Sequence, residues 1–223
     1  MTPTDQLKQR IRAARDLVQI TRPVFAELAI QIDERSATAM PLALAALDTA
    51  EAIFVLLEQD LTRFWVAGLT LQRTQMEYVL RAAFFASAAG HDELTRFRRT
   101  GKMPKRGKRV IHIAEVAQEA SQHLGWDSAK LLTVVDAHQR SLSGLVHGGT
   151  EVLGIYTQHD EWGDLTIDWD DLASNIDNIS VFVQLAVSVG MLLSPLSPDE
   201  LEKAVRPVYD RSVAFFSEKK AAG

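Results

Sequence analysis

The sequence contains no cysteine, which excludes disulfide bonds, thiolate metal sites and cysteine nucleophiles together. The first sixteen residues, MTPTDQLKQRIRAARD, lack the apolar core of a signal peptide. Both features fit a cytoplasmic protein. An excess of positive charge is also lacking, because the formal net charge is −5. We therefore expect any contact with phosphate to come from a local basic patch rather than from the whole surface.

Long uncharged runs are scarce, and the one of interest is 179–196, ISVFVQLAVSVGMLLSPL. A membrane span needs about 20 mostly apolar residues. This run contains the polar Ser180 and Gln184, reaches Pro195, and has no cluster of Lys or Arg at either border. It therefore predicts a buried helix and no membrane partner.

The remaining composition is that of a globular protein, with 223 residues of which 47% are hydrophobic and 24% charged. Helical spacing of apolar residues runs through most of the chain and predicts an all-α bundle in a single domain over 1–223. We divide it into N-terminal helices in 1–60, a central segment 61–157 and a C-terminal helical pair 169–218. One short β-hairpin is predicted within 152–168. The predicted helices are 4–33 with a disturbance at Pro23, 41–59, 62–89, 91–100, 108–124, 128–148, 169–193 and 198–218.

The helix predicted over 62–89 is apolar on almost every side, as expected for a central helix. Arg73, Glu77 and Arg81 nevertheless follow one another at four-residue steps, which sets one carboxylate between two guanidinium groups. Two interpretations stay open. The three charges form either a structural ion network that reaches the surface or the lining of a pocket or subunit interface.

A second polar cluster resembles a metal site. His112, Glu115, Glu119 and His123 share one helical face, and such side chains bind iron, manganese or zinc. The apolar residues of this segment lie on the opposite face, and a second Glu-x-x-His pair is missing. We therefore expect an ordinary solvent-exposed surface, no metal and no other cofactor.

Two loops carry opposite charge. The segment 96–109, RFRRTGKMPKRGKR, has eight basic side chains, whereas 159–171, HDEWGDLTIDWDD, has six acids. The basic loop is either a solvated connector that pairs with acidic groups or a loop that holds phosphate, and the first interpretation is favoured. The candidate phosphate-binding residues are Arg96, Arg98, Arg99, Lys102, Lys105 and Arg106.

The most distinctive short stretch is RSLSGLVHGG at 140–149. At about 100° per residue, Arg140 and His147 lie within roughly 20° of each other on a helix, two turns apart. Leu131, Val134, Val135, Leu142, Leu145 and Val146 form the apolar stripe on the other side. The pair is therefore predicted to point away from the core.

The residues around the pair are small or able to hold the arginine. Asp136 precedes Arg140 by one turn and can hold its guanidinium group. Ser141, Ser143 and Gly144 are small, and glycine inside a helix costs about 1 kcal/mol relative to alanine. Small residues are useful where another helix, a second subunit or a phosphate backbone must come close.

Arg140-Ser-Leu-Ser-Gly-Leu-Val-His147 resembles the Arg-x4-6-His signature of the HEPN superfamily, all-helical proteins found in toxin–antitoxin, abortive-infection and other antiviral systems. A wider similarity covers about residues 60–157, where QRTQMEYVLRAAFFASAAGHDELTRF and RSLSGLVHGG resemble bacterial and phage-associated proteins of unknown function near that superfamily. The resemblance implies a HEPN-like helical bundle and RNA cleavage without metal in a cleft between two copies. His147 would act as general acid or base and Arg140 would hold the phosphate.

Two hypotheses follow from these observations. The first is a metal-independent ribonuclease of a toxin–antitoxin or phage-defence system, acting as a homodimer on RNA and controlled by an antitoxin protein. The second is a non-catalytic HEPN-like module that binds a partner protein, nucleotide or RNA. The net negative charge favours the second, as does Ser141, which stands where many HEPN nucleases have Asn, Asp or His. The shared face of Arg140 and His147 favours the first, which we prefer.

Overall fold

The computed structural model describes residues 2–156 and 167–221, without the side chains of Arg140, Ser141, Glu151 and 218–221. These residues form an all-α bundle with one small two-stranded sheet, as the apolar spacing predicts. In chain order the elements are α1 (Pro3–Glu27), α2 (Ser36–Gln59), α3 (Leu61–Ser87), α4 (His91–Thr100), β1 (Lys105–Arg106), β2 (Arg109–Val110), α5 (Ile113–Leu124), α6 (Ser128–His147), α7 (Thr150–Tyr156), α8 (Trp169–Leu193) and α9 (Pro198–Ala221).

The central helix of the bundle is α3. It packs against α2 most extensively and also against α8, α5 and α6. Among the described helices, α3 and α8 bury the most residues, which confirms that 62–89 is a central helix and that the run beginning at 179 is buried. The turn between α2 and α3 is tight because Asp60 caps α3, accepting a hydrogen bond from the Arg63 backbone at 3.1 Å. α1 lies against α2 and α8, and α9 lies against α1.

The first two helices differ from their predicted bounds. α1 ends at Glu27 instead of reaching 33, and it continues through Pro23 without a break. Pro23 and Gln19, whose carbonyl loses its usual helical donor, both lie on the exposed side, so the missing hydrogen bond faces solvent. α2 begins at Ser36 instead of 41 because Ser36 and Asp33 bond reciprocally, with Asp33 Oδ1 accepting from the Ser36 backbone at 2.7 Å.

The predicted hairpin within 152–168 is wrong where the structure describes it, because 152–156 belongs to α7. Residues 157–166 lie outside the described part of the chain. The two-stranded sheet lies instead at 105–110 and overlaps the start of the helix predicted over 108–124. Because the second strand occupies 109–110, α5 begins only at Ile113. Gly107 has a φ of +66° at the first position of the two-residue turn, a conformation that glycine adopts without strain.

Within the described ranges 2–156 and 167–221, two helices, α2 and α8, are long and apolar enough to cross a membrane by length and composition alone. In their most apolar windows 39% and 50% of the residues are buried within the protein. α8 packs against α1, α2 and α3, as predicted for the run 179–196, and ends at Leu193. Core helices pass the same length and hydropathy test, so the test is weak evidence of a span.

Candidate functional site

The backbone positions of Arg140 and His147 lie on one uninterrupted helix, α6. At about 1.5 Å per residue, their backbones are about 10 Å apart along the helix axis. His147 is the last residue of α6 and is exposed, and Gly148 ends the helix with a φ of +66°. The side chains of Arg140 and Ser141 lie outside the described part of the structure.

The face of α6 that carries the pair is turned away from the core of the protomer. Thr133, Asp136 and Ala137 are exposed, and Ser143 and Gly144 are half-buried. The predicted orientation of this face is therefore confirmed for the described side chains. Exposure of these described side chains is what a site completed by a second subunit would require.

The buried stripe of α6 differs from the predicted one. Leu131, Val135 and Leu142 are buried, but Val146 is 41% exposed and Val134 and Leu145 are only half-buried. His138 takes their place in the core, with only 6% of its surface exposed. Apolar spacing missed His138 because it assigns only apolar side chains to the core, and histidine is not counted among them.

His138 belongs to a buried polar contact between α6 and α3. Its Nε2 lies 3.4 Å from Nε2 of Gln72, which is fully buried, and its ring centroid is 6.1 Å from that of Phe182 on α8. Burial lowers the pKa of His138 below its ordinary value of 6.5, because the interior disfavours the charged imidazolium. When the Gln72 amide donates to this nitrogen, the imidazole is neutral.

The ladder on α3 forms as the four-residue spacing predicts. Arg73 Nε donates to Glu77 Oε1 at 3.2 Å, and Arg81 donates to Glu77 Oε2 at 2.6 Å. The three side chains are 19–30% exposed, so the ladder lies at the boundary of the core. Arg73 Nη1 and Arg81 Nε are buried without a hydrogen-bond partner in the part of the chain that the structure describes. The ladder thus forms an ion network, and its other predicted role, the lining of a pocket or interface, stays a prediction.

The candidate phosphate-binding residues fall into two groups. Arg106 is held by Glu93 of α4 and by Glu119 of α5, the latter at 2.9 Å. Arg109, which was not one of the candidates, is held in the same way and binds Glu115 through two hydrogen bonds, one of them 2.7 Å long. Within the described residues no ion pair involves the other candidates, which are all exposed: Arg96, Arg98, Arg99, Lys102 and Lys105.

The histidine and glutamate face of α5 has structural partners. His112 precedes the helix as its N-cap, and its backbone donates to Glu115 at 3.0 Å. The hydrogen bond from Arg109, aided by this backbone bond, lowers the pKa of Glu115 to about 2. The described residues hold no group of three or more acids and histidines that could bind a metal ion.

The described end of the acidic loop also has a structural role. Asp168 caps α8 by accepting hydrogen bonds from the backbones of Asp170 and Asp171 at 3.1 and 3.0 Å. Burial, together with the nearby Asp168, raises the pKa of Asp171. Residues 159–166 lie outside the described part, so the predicted pairing of the two loops stays a prediction.

An apolar groove between the end of α8 and α9 was not predicted. It has a volume of about 510 Å³, and Glu202 and Arg206 are the charged residues of its lining. Its apolar lining is Met191, Pro198, Leu201, Val205 and Tyr209. All the residues that line it fall within 191–209, and apolar periodicity did not distinguish the apolar ones from core positions. In comparisons with known proteins, no family model matches the chain, and no curated protein or solved structure matches it at a significant level.

Proposed function

We propose that this chain is a HEPN-like, metal-independent ribonuclease whose site is the exposed face of α6. One observation carries the proposal: Arg140 and His147 stand two turns apart on a single helix, on the face that the protomer's own core leaves uncovered. The proposed site consists of two such faces, related by the two-fold axis of a homodimer.

The reaction would use the 2′-hydroxyl of the RNA as nucleophile. His147 accepts the proton of this hydroxyl while the 2′-oxygen attacks the adjacent phosphorus. The bond from phosphorus to the 5′-oxygen breaks, and His147 of the partner subunit donates a proton to the leaving oxygen. The products are a 2′,3′-cyclic phosphate and a 5′-hydroxyl. Arg140 binds the non-bridging oxygens, where negative charge increases in the transition state.

The alternative function is a non-catalytic binding module. Net charge of −5 and the use of Arg106 and Arg109 in internal ion pairs favour it, because both reduce the attraction for RNA. For the ribonuclease we propose a cytoplasmic setting with an antitoxin protein that blocks the site. In cells, we expect expression of this chain alone to arrest growth and co-expression of the antitoxin to relieve the arrest.

Cleavage of fluorescently labelled RNA by the purified protein tests the ribonuclease. Arg140→Ala and His147→Ala should each lower the rate by roughly 10²-fold or more, since each removes a group that acts on the reacting phosphate. The double variant should lose little more than either single one, because the two residues act as a unit. Cleavage should persist in EDTA.

Matched controls are His123→Ala and Arg12→Ala, which remove an exposed histidine and an exposed arginine elsewhere. Both should keep the wild-type rate, and all four single variants should keep the wild-type circular dichroism. If the wild-type protein leaves both single-stranded and structured RNA intact, the ribonuclease is rejected in favour of the binding module.

A further inference from the structure

The hairpin β1–β2 separates its basic side chains onto two faces. Lys105 pairs with Val110 and Arg106 pairs with Arg109, and adjacent residues of a strand point to opposite sides. Arg106 and Arg109 are bound by the acids of α4 and α5, so their face is the inner one. Lys105 therefore lies on the outer face, beside Val110, which is 49% exposed.

The base of the hairpin is anchored in the protein. Ile111 is only 4% exposed, Pro104 is buried, and the Ile111 backbone donates to the Pro104 carbonyl at 3.0 Å. With both ends held in this way, Lys105 and the turn residue Lys108 have defined positions on the surface.

The last turn of α4 and the residues after it add further cations. Arg96 and Arg99 are exposed and one helical turn apart, so they share a side of α4. The exposed Lys102 lies two residues beyond the end of this helix. Arg98 lies beside Glu34, whose pKa is lowered by a hydrogen bond from Thr95 and further by His91 and Arg98.

The segment 91–110 has no exposed Phe, Tyr or Trp ring on which a base could stack. Phe97 is the one aromatic residue between 91 and 110. It is half-buried, with its ring centroid 4.3 Å from that of Phe85. Proteins that hold single-stranded bases use exposed aromatic rings for this purpose. The chemistry offered here is positive charge alone.

We propose that the hairpin surface, defined as Arg96, Arg99, Lys102, Lys105 and Lys108, binds the phosphate backbone of a nucleic acid without regard to base sequence. Arg106 and Arg109 hold the hairpin in place and do not contact the ligand. The proposal deepens the ribonuclease function by naming the part of the substrate that is held, and it rests on that function for the choice of RNA over DNA.

Fluorescence anisotropy with short duplexes tests the surface on the full-length protein. The probes are a 2′-O-methyl-RNA duplex, which lacks the attacking hydroxyl, and a DNA duplex, each in two unrelated sequences. The variant Lys102→Gln/Lys105→Gln/Lys108→Gln should bind about tenfold more weakly at low salt. The slope of log affinity against log salt should decrease in magnitude by about 2 to 3, because each lost phosphate contact removes about 0.9 from that magnitude. The two sequences of each duplex should bind equally.

The control variant Lys8→Gln/Arg12→Gln/Lys203→Gln removes the same charge from exposed positions on α1 and α9. The affinity of this control should stay within about twofold of the wild type, because only the long-range attraction has changed. Unchanged thermal melting of both variants shows that the fold is kept. Equal weakening by the two variants overturns the proposal, as does tighter binding to anionic vesicles or polyglutamate than to either duplex.

The two proposals fail in different ways. If the hairpin variant binds as the wild type does while Arg140→Ala abolishes cleavage, the ribonuclease stands and the hairpin surface is rejected. If the hairpin variant loses binding but the wild type cleaves no RNA, the surface stands and the ribonuclease is rejected. Preference for the RNA-type duplex over DNA supports RNA as the source of the phosphates, and equal binding removes that assignment.

Discussion

At the scale of single residues, His138 shows how a polar side chain can occupy a core position. Gln72 is its hydrogen-bond neighbour, and the Oε1 atom of Gln72 is buried without a partner in the described part of the chain. A neutral imidazole can remain there because one ring nitrogen accepts a hydrogen bond. A protonated imidazole loses that acceptor and carries a charge that the interior solvates poorly.

This arrangement predicts a pH-dependent stability. The pKa of His138 is lower in the folded protein than its ordinary value of 6.5, so the unfolded chain binds more protons as the pH falls. His138 therefore contributes its full stability above that value and loses it progressively below. The free energy of unfolding, measured by urea titration between about pH 7.5 and 5.5, should decrease toward low pH, and His138→Gln should flatten that slope.

The control is His123→Gln, the same change at an exposed position of α5, which should keep the wild-type slope. Glu115, whose pKa is lowered to about 2, does not contribute in this range. Identical slopes for the wild type and His138→Gln would contradict the assigned protonation state.

At the scale of elements, Gly190 sets how closely α8 approaches α1. A Cβ atom at this position would lie 2.7 Å from Leu28 Cδ1 and 2.9 Å from Phe25 Cε1. Nearby, the Ser194 hydroxyl at the end of α8 donates to the Leu28 carbonyl at 2.5 Å. The same region of α1 is therefore held both by close packing and by a hydrogen bond.

Gly190→Ala should destabilise the protein by about 1–2 kcal/mol in urea unfolding. Overpacking costs about 1–3 kcal/mol, and the better helix propensity of alanine returns up to about 1 kcal/mol. Gly154→Ala on α7 is the matched control, because nothing lies within 4 Å of its Cβ position. It should be neutral or stabilising, and a loss equal to that of Gly190→Ala would show that close packing is not the cause.

At the scale of the whole molecule, the uncovered face of α6 predicts a homodimer. The small residues Ala137 and Gly144 allow another helix to come close, and a two-fold axis would bring both copies of the Arg140/His147 positions to one cleft. Light scattering should show a dimer at micromolar concentration. Gly144→Arg should shift the protein to monomer and abolish cleavage together.

The control for this variant is Gln122→Arg, which adds the same side chain at an exposed position of α5. It should leave the mass and the cleavage rate unchanged, and circular dichroism should show that both variants stay helical. A wild-type monomer at that concentration would remove the argument for a site shared between two copies.

Properties that depend on one helix alone were determined by the sequence. Apolar residues on nearly all sides marked α3 as the central helix, four-residue spacing set the Arg73–Glu77–Arg81 ladder, and a seven-residue spacing set Arg140 and His147 on one face. Each follows from the helical repeat, which is the same wherever the helix lies. The catalytic use of the pair rests on a resemblance and stays a prediction.

Properties that depend on which elements become neighbours were decided by the tertiary structure alone. His138 is buried because α6 packs on α3 opposite Gln72, and a helical repeat does not say which residue stands opposite. Arg106 differs from its neighbour Lys105 because strand pairing turns it toward acids on α4 and α5. The sequence shows only a run of like charges there, since the partners of each charge come from distant segments whose positions the packing of the helices sets.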